Sequence, residues 1–224
     1  MTARVRLIIS VEGQTEQNFA RDVLAPHLLG FGVEATARLV VTNRKKNKRG
    51  GVLSYALFSN DIRRLLQEQS AADVRFTTML DLYALPSDFP GFSAAASCHP
   101  AARRVAALEE ALATDLGDQR FIPYIQLHEF EALLFCDLDQ LMPRIEGSQR
   151  GVRSLRAEVG DIPPEEINDG PTTAPSKRII RHVPKYKTNK PRVGAAAACA
   201  IGLARLREHC PHFDQWVSWL ADCG

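Results

Sequence analysis

Apolar and polar positions along the chain alternate between two textures. The apolar run at 4–11 (RVRLIISV) ends on Glu12-Gly13 and predicts a buried strand. From 15 to 30, Phe19, Val23 and Leu24 recur at helical spacing, with Thr15 as the candidate N-cap, Gly30 as the stop and Pro26 as a kink. Residues 36–42 predict a second strand, and Leu53, Leu57, Ile62, Leu65 and Leu66 form a helical stripe over 52–69. Residues 74–82 predict a third strand, followed by a Pro- and Gly-marked loop. Residues 100–116 are strongly amphipathic, with Pro100 near the first turn. Residues 121–128 predict a fourth strand, after which Phe130, Leu133 and Leu134 return to helical spacing. Strands alternating with helices predict an α/β fold with a mostly parallel sheet covered by helices.

After Leu141 the texture changes. Residues 143–192 hold seven of the thirteen prolines and little strand signal, so short helices and loops are expected. Residues 192–209 and 212–222 read as closing helices, with Trp216 and Trp219 on one face as core anchors. The organisation expected is an α/β domain over 1–142 and a helical and loop extension over 143–224 packed on it.

Composition narrows this picture little. With 45% hydrophobic and 24% charged residues in 224, the chain is neither disordered nor a coiled-coil rod, and it can bury a core unaided. The run Gly194–Ala204 falls well short of the ~20 residues of a bilayer helix, and the apolar stretch before Glu12 is too short for a signal-peptide core. No membrane association is therefore expected. Five cysteines without a CxxC pair give neither zinc spacing nor a disulfide framework, which points to a reducing, cytoplasmic setting.

The candidate chemistry lies where the strands end. Ligands of parallel sheets sit beyond the carboxyl ends of the strands. Glu12 follows the first strand, Asp81 ends the third, and Glu129 and Glu131 follow the fourth; Glu16 lies one turn beyond Glu12. Acids converging there suit Mg²⁺ or Mn²⁺, which take oxygen ligands. Such a site could activate water and stabilise a leaving oxygen in phosphoryl transfer. Plainer roles stand beside these. Glu16 can stabilise its helix dipole. Asp81 can accept from loop amides, Glu131 can be a solvated helix residue, and His128 can be a general base or a hydrogen-bonded edge histidine.

Net charge is only +2, but its distribution is uneven. Arg44, Lys45, Lys46, Lys48 and Arg49 cluster beside Gly50-Gly51. Seven cations and no acid lie between Lys177 and Arg192, including Arg178, Lys185 and Lys187. These segments can face nucleic-acid phosphates or can simply be solvated. No GxxxxGK[ST] motif is present for nucleotide binding.

The segment Val11-Glu12-Gly13-Gln14-Thr15-Glu16 resembles the opening motif of the Toprim fold in the form found in OLD-family nucleases. With MLDLYALPSDFPG, IQLHEFEALLF and INDGPTTAPSKRI, the chain also resembles a bacterial family of unknown function with a Toprim-like fold. That family is often encoded beside an ATPase in defence islands. The resemblance implies that Glu12 is a general acid/base or metal ligand and Glu16 a metal ligand. It makes Asp81 the first acid of an Asp-x-Asp motif, with Glu129 and Glu131 as further acidic ligands. One departure stands out: the second acid of that motif falls on Tyr83. Either Asp88 or Glu131 fills the gap, or one metal binds, or the site is degenerate. The function expected is a Mg²⁺-dependent nuclease or related phosphoryl-transfer protein in bacterial defence or DNA processing, with DNA or RNA and an ATPase as partners. The alternative is a catalytically degenerate regulatory or nucleic-acid-binding subunit of an ATPase complex. In the nuclease reading Glu12, Glu16, Asp81 and Glu131 hold metal, and Glu129 or His128 assists.

Overall fold

A computed structural model describes residues 4–43, 48–49, 54–167 and 173–224. Strand β1 (Val5–Val11) leads into α1 (Gln14–Phe19), a π-helical turn (Ala20–Leu24) and α2 (Ala25–Leu29). Strands β2 (Val33–Leu39), β3 (Val41–Asn43) and β4 (Lys48–Arg49) follow, then α3 (Tyr55–Glu68), β5 (Val74–Asp81), α4 (Phe92–Ala95) and α5 (Ala101–Leu116). Two short strands, β6 (Phe121–Ile122) and β7 (Ile125–Gln126), precede 3₁₀ segments at Phe130–Cys136, Leu138–Arg144 and Pro164–Glu166. Helices α6 (Gln149–Val159), α7 (Pro175–His182), α8 (Tyr186–Ile201), α9 (Leu203–His209) and α10 (Pro211–Ala221) complete the order.

The main sheet runs β2-β1-β5-β6, with β7 also on β5, and every pair in it is parallel. The expected helix-covered parallel sheet is therefore present. β5 is buried along Phe76–Leu80, which explains its unbroken apolar pattern, since helices cover both of its faces. Leu7, Ile9, Val11 and Met79 share one core with Phe19, Leu24, Trp216 and Leu220. Phe76 and Leu80 pack on the other side with Phe58, Ile62, Leu108 and Leu112. Trp216 stacks on Tyr124 at 4.0 Å and donates its indole N–H to Thr77 Oγ1 at 2.9 Å.

Several boundaries differ from expectation, each for a local reason. Gly13, not Thr15, holds the N-cap of α1, and Thr15 is buried within the helix. Pro26 cannot donate to the preceding turn, and the π-helical turn directly before α2 absorbs that missing bond. Pro123 likewise interrupts the fourth strand, leaving two dipeptide strands that both pair with β5. The apolar stretch after it winds as a 3₁₀ helix. Trp216 is buried but Trp219 is 45% exposed, so only the first is a core anchor.

Candidate functional site

Parallel register brings the predicted acids to one rim. Val11 pairs with Met79, and Asp81 pairs with Gln126, so β1, β5 and β7 end side by side. Glu12 turns across to Asp81 and accepts its backbone N–H at Oε2, 3.2 Å. Asp81 Oδ1 accepts the N–H of Phe130 at 2.8 Å, which ties β5 to the segment bearing Glu129 and Glu131. Glu129 Oε2 accepts from the N–H of Ser176 at 3.1 Å, at the start of α7. Glu131 is fully buried; its Oε1 accepts from the Tyr186 hydroxyl at 2.9 Å and its Oε2 lies 3.1 Å from Lys190 Nζ. That second oxygen is enclosed without a directed hydrogen bond, so the lysine meets it as a charge.

Tyr186 and Lys190 are four residues apart on α8, hence on one face. Their close approach depends on Gly194: a Cβ there would lie 2.9 Å from the Tyr186 hydroxyl oxygen and 3.1 Å from Thr15 Cγ2. Backbone proximity between α8 and α1 thus places the cation over the acids.

The electrostatics reflect crowding. Burial, reinforced by the charges of Glu16 and Glu129, pushes the Glu12 carboxyl up to about 7 despite the Asp81 amide and Lys190. Burial raises Glu16, while the N–H groups of Glu16 and Gly13 oppose the rise. Asp81 is raised well above the usual carboxylate range by burial and by the charges of Glu12, Glu16 and Glu131. Glu131 is pushed up to about 7 by burial, against the pull of Lys190 and the Tyr186 hydroxyl. Burial disfavours the charged ammonium of Lys190, but Glu131 and Asp81 outweigh it and hold the lysine protonated.

Glu12, Glu16, Asp81, Glu129 and Glu131 therefore form one electrostatic cluster. They supply only oxygen donors, the type that Mg²⁺ or Mn²⁺ takes. The enclosed Glu131 Oε2 is an oxygen of this kind, and the mutual repulsion favours added positive charge. Among the described residues, however, no three His, Cys, Asp or Glu side chains stand ready to ligate one ion. Lys190 supplies the counter-charge in this arrangement.

His128 has a different position. It adopts φ 67° and lines a cavity of about 1070 Å³ that the acids do not line. Its Nε2 is 2.9 Å from the Glu165 carbonyl oxygen, which can only accept, so Nε2 carries the proton. In the neutral ring Nδ1 then accepts from the Tyr83 hydroxyl at 2.9 Å. Those contacts fit the hydrogen-bonded edge histidine. Tyr83 thus turns to His128, and Asp88 accepts the Tyr55 N–H at the start of α3. Of the two acids considered for the missing position, Glu131 alone is among the charges that act on Asp81.

The expected phosphate contacts divide. Arg44, Lys45 and Lys46 lie outside the described residues. Lys177 and Lys187 are exposed, and Lys185 donates to the Glu146 carbonyl at 3.1 Å. Arg178 is engaged with Glu158 at 2.6 Å and with the Thr173 carbonyl at 2.8 Å. Sequence reasoning missed Tyr186, Lys190 and Glu158. The i,i+4 spacing of a tyrosine and a lysine in an acid-free run was the available signal for the first two.

Comparison with known proteins adds the following. The profile of a family described as a domain of unknown function (DUF4276) matches residues 11–221. No curated protein matches the chain. Among solved structures, the chain is similar to the C-terminal region of the Burkholderia pseudomallei OLD protein, at 18% identity and TM-score 0.46, covering 97% of this chain and 98% of that one. It is also similar to the C-terminal region of the Xanthomonas campestris pv. campestris OLD protein, at 16% identity and TM-score 0.41, covering 96% and 95%. Among the described residues, no helix is long and apolar enough to cross a membrane.

Proposed function

We propose, from the premise that the chain belongs to the DUF4276 family, that it is a Mg²⁺- or Mn²⁺-dependent nuclease or related phosphoryl-transfer protein acting on DNA or RNA. One observation carries the reading: Glu12 after β1 accepts the N–H of Asp81 at the end of β5, Asp81 accepts the N–H of Phe130 beside Glu131, and Lys190, 3.1 Å from Glu131, acts by its charge on Glu12, Glu16 and Asp81 as well. Those four acids would hold the cation. A divalent ion bound there supplies water activation and charge stabilisation at the leaving oxygen.

The chain's own residues would do the rest. Glu12, poised near neutrality, would accept or return a proton at its carboxylate. Glu129, held by the Ser176 amide, would orient the approach from the α7 side. Lys190 would hold the acids together before loading, and Lys177 and Lys187 would attract the phosphate backbone. In this reading residues 1–142 carry the acids and 143–224 lay α7 and α8 over them. An ATPase partner, a role in defence or DNA processing, and a cytoplasmic location belong to the same proposal.

The test is cleavage of plasmid DNA and of RNA with Mg²⁺ or Mn²⁺. We expect activity in the wild type and none in the Glu12→Gln/Asp81→Asn double variant. Equal cleavage by both would overturn the assignment. A second reading, a catalytically degenerate subunit that binds nucleic acid, is favoured by Tyr83, which stands where a second acid is expected and bonds to His128 instead. Calorimetric titration with Mn²⁺ separates the two: no divalent affinity, even with nucleic acid present, supports the degenerate subunit.

A further inference from the structure

The cavity that His128 lines borders one of two neighbouring thiols that the proposed chemistry does not use. Cys136 closes the 3₁₀ segment that begins just after Glu129, and Cys210 is the residue before α10. They are 74 positions apart, yet their Sγ atoms lie 3.5 Å from each other, and both are buried. All five cysteines are free. The two sulfurs need to approach by only about 1.5 Å to reach bonding distance.

Cys136 lines the cavity of about 1070 Å³, together with His209, His212 and Arg205. Arg205 donates through Nε to the Cys136 carbonyl at 3.0 Å, so a guanidinium stands beside that residue. Cys210 does not line the cavity, and its hydrogen bond with the adjoining thiol together with burial raises its pKa. The two therefore have unequal roles, with Cys136 reached first and Cys210 waiting behind it.

We infer that Cys136 and Cys210 are a modification site: a dithiol that a small peroxide entering the cavity converts to a reversible disulfide. In the first step the Cys136 thiolate, its proton released to solvent in the cavity, attacks one peroxide oxygen. The O–O bond breaks, hydroxide leaves and takes up a proton as water, and Cys136 becomes a sulfenic acid. In the second step the Cys210 sulfur attacks the Cys136 sulfur. The S–S bond forms, the S–O bond breaks, and the hydroxyl leaves as water with the Cys210 proton. Two thiols are oxidised and one peroxide is reduced to two waters. The bond would tether the end of the segment carrying Glu131 to the start of α10.

The experiment treats the folded wild-type chain with hydrogen peroxide, then alkylates it under denaturing conditions and maps the peptides by mass. Cleavage before Asp214 separates Cys210 from Cys223. We expect Cys136 and Cys210 to lose alkylation together, to appear as one cross-linked peptide pair, and to recover with dithiothreitol. A Cys210→Ser variant should stop at a sulfenic acid on Cys136 that dimedone captures. Oxidation of the exposed Cys199 with Cys136 and Cys210 still alkylated would overturn the inference. So would sulfinic acid on wild-type Cys136 without the cross-link.

Discussion

Replacing Glu131 with glutamine should flatten the dependence of stability on pH. An acid whose pKa is higher in the folded chain than in the unfolded chain holds its proton more tightly when folded. Its contribution is full below the unfolded value and is lost as pH rises through the folded one. For Glu131 those values are 4.5 and about 7, so from about pH 5 to about pH 8 the wild type should lose about 2–3 kcal/mol from this group alone. In a chain of 224 residues that corresponds to roughly 5–10 °C in Tm. Glutamine keeps an oxygen for the Tyr186 hydroxyl but does not ionise. Urea titrations at the two pH values, read by fluorescence of the buried Trp216, measure the effect. Wild type and Glu131→Gln losing equal stability over that range would refute the reasoning.

Other perturbations probe the same framework. Lys190→Gln leaves the acids without their cation and should destabilise by about 1–3 kcal/mol near pH 8 and by less near pH 5, measured by the same titrations. Trp216→Ala removes a stacked core ring and the indole N–H that Thr77 accepts, so a loss of about 3–5 kcal/mol is expected in urea unfolding. Gly151→Ala sets a Cβ into the His182 carbonyl oxygen, where α6 meets the end of α7. Because the obstacle is backbone, a loss of about 1–3 kcal/mol should appear as a lower Tm. Lys177→Gln/Lys187→Gln should reduce the salt slope of nucleic-acid binding by about one to two, measured by fluorescence anisotropy across a salt series.

The sheet was legible because its signal is local and strong. RVRLIISV and the β-branched run at 74–82 are long enough to mark buried strands, and the acids at their ends were visible with them. The broken fourth strand was less so, because Pro123 removes a ladder bond without erasing the apolar pattern. Trp216 and Trp219 have the same composition and opposite exposures; their difference depends on what packs against α10. Lys190 read as one more cation in a basic run. Its direction is set by the approach of α8 to α1 at Gly194, a tertiary fact that a one-dimensional pattern does not carry.

The bond from Trp216 to Thr77 spans 139 positions. During synthesis β5 emerges long before α10, so the part of the sheet that α10 covers stays open while the ribosome makes the intervening chain. Nascent β5 then exposes the apolar surface that Trp216 later covers. Slowing translation between Thr77 and Trp216 lengthens that exposure and should lower the yield of folded protein.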